Sequence, residues 1–283
     1  MPTLPFLEIM VIRGCNLSCE GCTTFSDLKH SGYTTWDQGR RWLQPWTERL
    51  ELPAIGFMGG EPLMNPDIKS WIHGVRDLLP QSQIRFVTNG LLLHKHWDVF
   101  ELLRNIKNSV FKISYHVNDS GLDLNIQKIF DSGAWIPVQE FGIDRWLDRE
   151  HNFRFQIAKP DRFLRTFKNN YENMMPHNSD PRQAFECCVQ QRCPLLFENK
   201  IFKCGTVGLT PQLLKRFGNP NQEQWQPYLV DGLTIDSSDQ DIENFVNNFG
   251  KPHSICRQCP SQQDQYSFVD HRVTVRFKND QPR

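Results

Sequence analysis

Three cysteines stand within eight positions near the start of the chain: Cys15, Cys19 and Cys22, in "RGCNLSCEGC". Thiolates this close together bind soft metals or take part in redox chemistry. Three is an awkward count, because disulfides take thiols in pairs and a closed structural zinc site takes four ligands. The other six cysteines, Cys187, Cys188, Cys193, Cys204, Cys256 and Cys259, all follow residue 186, and none lies between 23 and 186. This segregation predicts two separate sites.

The elements that must position the first site are short apolar runs. "FLEIMVI" (6–12), "AIGFM" (54–58), "IRFVT" (84–88), "VFKISYHV" (110–117) and "WIPVQ" (135–139) read as strands buried on both faces. "DIKSWIHGVRDLL" (67–79) puts Ile68, Trp71, Ile72, Val75, Leu78 and Leu79 on one helical stripe. Residues 96–106, 122–130 and 35–50 also read as helical, the last broken or kinked at Pro45. Strand–helix alternation at this spacing predicts an α/β fold of βα units around a parallel sheet. Ligands in such folds bind at the carboxyl ends of the strands. There the chain places the cysteine triplet, then "GGEP" (59–62), "TNG" (88–90) and "NDSG" (118–121). Taken alone, the triplet could be a zinc site completed from afar or three reduced thiols, and "GGEP" could be a tight turn.

Taken together, Cys15-x3-Cys19-x2-Cys22 after a first strand and Gly59-Gly60-Glu61-Pro62 after the second resemble the radical S-adenosylmethionine (SAM) enzymes, over residues 6–140. The resemblance implies a partial (β/α)6 TIM-like barrel of radical SAM type. It implies that the three thiolates hold a 4Fe–4S cluster with one open iron, which SAM chelates through its amino and carboxylate groups. Reductive cleavage of SAM would then give a 5′-deoxyadenosyl radical, with an external flavodoxin- or ferredoxin-like electron donor. Gly59, Gly60 and Glu61 are expected to meet SAM's ammonium end, and Asn89 and Ser114 its ribose or carboxylate. One departure is Gly21, where the family usually has an aromatic residue; Phe25 is the candidate replacement.

"CPLLFENKIFKC" (193–204) reads as a hairpin with a cysteine at each outer end, and "CRQC" (256–259) follows a helical stretch at 236–250. Cys193, Cys204, Cys256 and Cys259 resemble the auxiliary-cluster extensions of the twitch and SPASM types, with one 4Fe–4S cluster the better count. From ligand type alone a zinc ribbon is equally possible. Cys188 is a possible extra ligand, and Cys187 could be a buried thiol. The expected domains are a radical SAM core at 1–165 and a small C-terminal cysteine-rich auxiliary-cluster domain at 166–283, with 169–182 as a linker.

His116 follows the fourth strand and could contact substrate, or be a structural histidine. Trp135, Phe141 and Trp146 could wall a pocket or be core. Asp144, Arg145, Asp148, Arg149 and Glu150 read as a solvated charge run. The expected function is hydrogen abstraction from a peptide, sugar-like or nucleotide substrate, with oxidation or cross-linking as the outcome. The alternatives are a redox-neutral isomerase or lyase with a structural C-terminal cluster, and a non-catalytic metal-stabilised binding module. Zero formal net charge gives no sign of a nucleic-acid partner. No apolar run approaches the roughly 18 residues needed to span a membrane. The N-terminus does not read as a signal peptide, so a cytoplasmic location is expected.

Overall fold

The computed structural model describes residues 1–262 apart from residues 20, 29, 141–142, 160–164 and 220. All six residues of the first strand, β1 (Leu7–Ile12), are buried. It lies inside a sheet, which explains its near-continuous apolar run. Four βα steps follow: α1 (Trp36–Leu43), β2 (Ala54–Gly59), α2 (Ile68–Leu78), β3 (Gln83–Thr88), α3 (Trp97–Arg104), β4 (Ser109–Ser114) and α4 (Ser120–Asp131). The rest comprises β5 (Ile136–Glu140), β6 (Ile143–Asp148), β7 (Phe153–Ala158), α5 (Pro181–Cys187), β8 (Leu195–Phe197), β9 (Lys200–Phe202), α6 (Gly205–Arg216), α7 (Gln222–Trp225) and α8 (Asp239–Asn247).

The nine strands form one sheet in the order β5-β6-β7-β4-β3-β2-β1-β8-β9. From β7 to β8 every pairing is parallel. The outer pairings, β5–β6, β6–β7 and β8–β9, are antiparallel. The fold is therefore α/β with a parallel-rich sheet.

Local signals account for the helix boundaries. Thr35 and Gln38 form a reciprocal capping box at the start of α1. α1 stops at Leu43, and Pro45 sits at the start of a tighter turn over 44–48, as its missing N–H requires. Asp119 caps α4 by accepting the N–H groups of Gly121 and Leu122. Between α1 and α2, Trp71 is fully buried and its indole N–H donates to Thr34 O at 2.8 Å. A side chain at Gly39 would put a Cβ 1.8 Å from that ring, so the helices approach this closely only with glycine there.

Two features depart from the sequence reading. The "WIPVQ" segment forms β5, but it pairs antiparallel with β6 at the sheet edge, and β7 takes the parallel place beside β4. The charge run is not merely a solvated face. Asp144, Arg145 and Asp148 make up half of β6, and Asp148 is buried, held by Arg104 Nε at 2.7 Å and His151 Nδ1 at 2.9 Å. The C-terminal hairpin, β8–β9, joins the main sheet through the β1–β8 pairing.

Candidate active site

β1, β2, β3 and β4 all run the same way, so their carboxyl ends deliver four loops to one rim. The loop after β1 carries the cysteine triplet. Its thiols are partly exposed and meet nearby polar groups. Leu17 N–H donates to Cys15 Sγ at 3.4 Å, the Asn89 side-chain amide reaches the same sulfur at 4.0 Å, and Cys22 Sγ lies 3.3 Å from Thr24 Oγ1. Burial pushes the Cys22 thiol pKa up, with the Asp27 carboxylate adding to the shift.

The loop after β2 lies directly against this one. Gly60 N–H donates to Ile12 O at 3.1 Å and Glu61 N–H to Gly14 O at 2.9 Å. A Cβ on Gly60 would lie 1.9 Å from the Gly14 carbonyl oxygen. One on Gly59, at φ +149°, would lie 2.0 Å from that of Ile12. The two glycines thus permit backbone contact that no other residue allows.

Glu61 is fully buried. Its Oε1 accepts Leu63 N–H at 3.0 Å and Thr88 Oγ1 at 2.7 Å, and its Oε2 accepts Asn89 N–H at 2.8 Å. Burial pushes its pKa up, and these donors pull against that. Its carboxylate therefore braces the β2 and β3 loops against each other.

One cavity of about 330 Å³ joins these groups. Cys15, Cys19, Cys22, Gly59, Gly60, Glu61 and Asn89 line it, with Ser114 and His116 from the end of β4. The expected cluster and SAM residues of the first half of the chain therefore face one space. Phe25 does not line it. That residue is buried among Met10, Leu28 and Phe167, at φ +54°. Trp135 and Trp146 pack on Phe155 in the core. Phe141 lies outside the described residues. Sequence reasoning missed Glu8, Lys112, Gln190 and Cys193 as lining residues of this cavity. Glu8 and Lys112 had a visible signal, since each is a lone charge inside an apolar strand run.

The C-terminal cysteines flank α5, the β8–β9 hairpin and the last described turn, and their charges bear on one another. Cys188 ends α5 and its sulfur accepts Gln190 N–H at 3.2 Å. Cys204 precedes α6 at its N-terminus, where the Val207 N–H reaches its sulfur. Burial, with repulsion from Cys188 and Cys256, pushes the Cys204 thiol up to about 12. Burial also raises Cys188, Cys193 and Cys259, and neighbouring cysteines add to each shift. Such thiols resist ionising alone, and a bound cationic centre removes that cost. Cys187 differs, donating its S–H to Ser261 O at 3.0 Å. Among the described residues no group of three or more His, Cys, Asp or Glu side chains stands close enough together to hold a metal ion.

With this geometry on the page, the comparisons have a place. Residues 9–135 match the Radical SAM superfamily. The matched segment is less than half of the chain and holds the triplet, the Gly59–Glu61 loop and Asn89. The GTP 3′,8-cyclase of Staphylococcus saprophyticus is 34% identical over 97 residues, which cover 32% of this chain and 28% of the cyclase. BtrN in complex with AdoMet and 2-DOIA has a TM-score of 0.51 at 15% identity, covering 94% of this chain and 100% of that one. Streptococcus suis SuiB bound to S-adenosylmethionine has a TM-score of 0.35 at 22% identity, covering 44% of this chain and 28% of SuiB. The radical SAM family implies SAM and a 4Fe–4S cluster. No helix among the described residues is long and apolar enough to cross a membrane.

Proposed function

We propose that the chain is a radical SAM enzyme that abstracts hydrogen from an organic substrate, with a second 4Fe–4S cluster at the C-terminal cysteines. The observation that carries the reading is the shared cavity. Three thiols and a glycine pair whose Cβ positions are filled by a neighbouring backbone face one space at the carboxyl ends of parallel strands.

The residues present fit a three-thiolate cubane and its nucleotide. Cys15, Cys19 and Cys22 would hold the cluster. The backbone at Gly59 and Gly60 would receive the methionine end of SAM, and Asn89 and Ser114 are the candidates for its polar atoms. Bound there, cluster and SAM together supply a 5′-deoxyadenosyl radical. The chain's own part is to hold the pieces in register and exclude water. Glu61 fixes the two loops, and the Leu17 N–H at Cys15 Sγ would tune the centre. The electron comes from outside, from a flavodoxin- or ferredoxin-like donor.

The C-terminal thiols, whose charges bear on one another, support the auxiliary cluster, which would accept an electron from the substrate and make the reaction a net oxidation. A second reading is redox-neutral, with that cluster purely structural. It is favoured by the similarity to a cyclase, since ring closure within one molecule needs no net electron acceptor.

The test is anaerobic reconstitution with iron and sulfide, then addition of SAM and dithionite. The expected result is 5′-deoxyadenosine well above the level given by Cys19→Ala. Equal amounts from the two proteins would overturn the proposal. Transfer of label from SAM-derived deoxyadenosine back into product would select the redox-neutral form.

A further inference from the structure

We infer that the face of the sheet just below the cluster cavity, at Arg85, Lys112 and Arg154, seats a phosphate group, and that the substrate is a small phosphate ester. The inference rests on the radical SAM reading for the cofactor end of that face.

Strand register puts these residues together. Val87, Lys112 and Ser114 line the cavity that holds the cysteine triplet. Side chains alternate along a strand, so Arg85, two before Val87, and Val110, two before Lys112, share that face. Val110 pairs with Arg85 on β3 and with Arg154 on β7. Lys112 pairs with Val87 and Gln156, and Gln156 pairs with Arg145. Two neighbouring rows result, Arg85-Val110-Arg154 and Val87-Lys112-Gln156-Arg145. Arg85, Arg145, Arg154 and Gln156 line a second cavity, of about 290 Å³, next to the first along the strands.

The donors there are held ready and largely unused. Arg85 Nε donates to Gln83 Oε1 at 2.7 Å, and its guanidinium carbon lies 4.9 Å from the centre of the Phe6 ring. This fixes the fork and occupies one of its five N–H groups. Among the described residues, Arg154 and Lys112 make no side-chain hydrogen bond or ion pair. Arg85 and Arg154 are both exposed to the cavity they line. Among the described residues of the Arg85 row, the one acid is Glu8, two strands away across Gly56. One carboxyl cannot neutralise these cations, and an anion between them relieves their repulsion.

The count of donors selects the anion. A phosphate monoester carries close to two charges and three terminal oxygens. Two guanidinium forks and an ammonium group match that, whereas one fork satisfies the two oxygens of a carboxylate. The Arg85 and Arg154 Cα atoms are two strand spacings apart, about 10 Å, so both long side chains can close on one group between them. Register also sets the length of the substrate. Lys112 lies two residues, about 7 Å, below Ser114 at the rim, and the Arg85–Arg154 row lies about 7 Å further down. A phosphate held there leaves a moiety the size of a sugar or nucleoside to reach the cluster cavity.

The test uses the full chain, reconstituted anaerobically with iron and sulfide and supplied with SAM. Equilibrium dialysis with radiolabelled probes compares inorganic phosphate with acetate, and D-ribose 5-phosphate with D-ribose. The phosphorylated member of each pair is expected to bind about tenfold more tightly, and Arg85→Gln and Arg154→Gln are each expected to lose about tenfold of that affinity. Arg154→Lys keeps the charge without the fork and should recover part of the loss. Lys69→Gln removes an equal charge from the exposed Lys69–Asp98 pair on α2 and should bind phosphate as wild type does. Phosphate held no more tightly than acetate overturns the site. So does affinity that is unchanged in both glutamine variants, or lost as fully in Lys69→Gln. If that same protein cleaves SAM, the enzyme reading stands without the phosphate site. Phosphate binding that depends on Arg85 and Arg154 in protein that cleaves no SAM would sustain the anion site and overturn its part in a substrate.

Discussion

The backbone N–H of Asn89 donates to the Glu61 carboxylate at 2.8 Å, tying the loop after β3 to the loop after β2. The same carboxylate takes Thr88 Oγ1 and Leu63 N–H. Asn89 in turn points its side-chain amide at Asn16 Oδ1, 2.7 Å away in the cysteine loop. Three strand ends are thus held in one hydrogen-bonded chain with Glu61 at its centre. The resemblance suggested Glu61 as a direct contact to SAM, and the geometry gives its carboxylate a positioning role.

Glu61→Ala leaves buried donors without an acceptor, so it is expected to destabilise the fold by roughly 2–3 kcal/mol. Urea unfolding measures this. Glu61→Gln keeps one acceptor oxygen and is expected to lose less. Both variants should also bind SAM more weakly, because the loops lose their mutual register. A variant as stable as wild type would contradict the bracing role.

Gly60→Ala tests the contact between the two loops. Its Cβ would lie 1.9 Å from the Gly14 oxygen and 2.8 Å from the Cys15 nitrogen, both backbone atoms that cannot turn aside. The cysteine loop must move, so the expected outcome is loss of the N-terminal cluster, read as a drop of about four irons per chain. The C-terminal iron should remain. Gly32→Ala is the control. That residue has positive φ, which Gly60 does not, but nothing lies within 4 Å of its Cβ position, so iron should be retained.

How far the sequence could be read follows from how local each signal is. The cysteine triplet and the Gly59-Gly60-Glu61 turn were legible because their spacing alone puts them at successive strand ends. α2 was legible because its apolar stripe keeps one period for eleven residues. α6 was not. Gly205, Gly208 and Pro211 all disfavour a helix, and it forms because Val207, Leu209, Leu213 and Leu214 are buried by tertiary packing. β6 was hidden for the opposite reason. Its Asp148 reads as solvated until Arg104, forty-four residues earlier, is brought beside it. The shared cavity lining of Glu8 and Cys193 was illegible because the β1–β8 pairing joins residues far apart in the chain.

The Arg104–Asp148 pair gives a third prediction. Arg104 Nε donates to Asp148 at 2.7 Å, Arg104 also donates to Ser132 O, and the two side chains are 15% and 5% exposed. Removing the cation leaves a buried carboxylate with only His151 and the Glu150 N–H among the described residues, so Arg104→Ala is expected to cost roughly 3 kcal/mol. Lysine cannot reach two acceptors through a planar fork, so Arg104→Lys should recover only part of it. Paired denaturation curves of the two variants check this. Burial pushes the Asp148 pKa up, but the Arg104 and His151 hydrogen bonds outweigh it, and the net shift is downward. Its contribution is therefore present above the ordinary aspartate pKa and is lost as pH falls through the lowered value.

His30 sets a second pH dependence at milder acidity. Its ring is partly buried, with the Arg13 and Arg216 guanidinium groups nearby. Burial first, and those two cations second, hold its pKa down at about 4. In the unfolded chain the same group titrates near its ordinary value of 6.5. Between these values the unfolded state binds a proton that the folded state refuses, so folding stability falls as pH drops from the unfolded value toward the folded one. Above the unfolded value His30 is neutral in both states and contributes no slope. His30→Gln keeps a polar side chain without the proton equilibrium. Its melting temperature should therefore fall less than that of wild type between about pH 7.5 and about pH 5. Arg13→Gln should lie between the two, since it removes one of the repelling cations and leaves the burial. Equal slopes in wild type and His30→Gln would show that this histidine takes its proton in the folded state as readily as in the unfolded one.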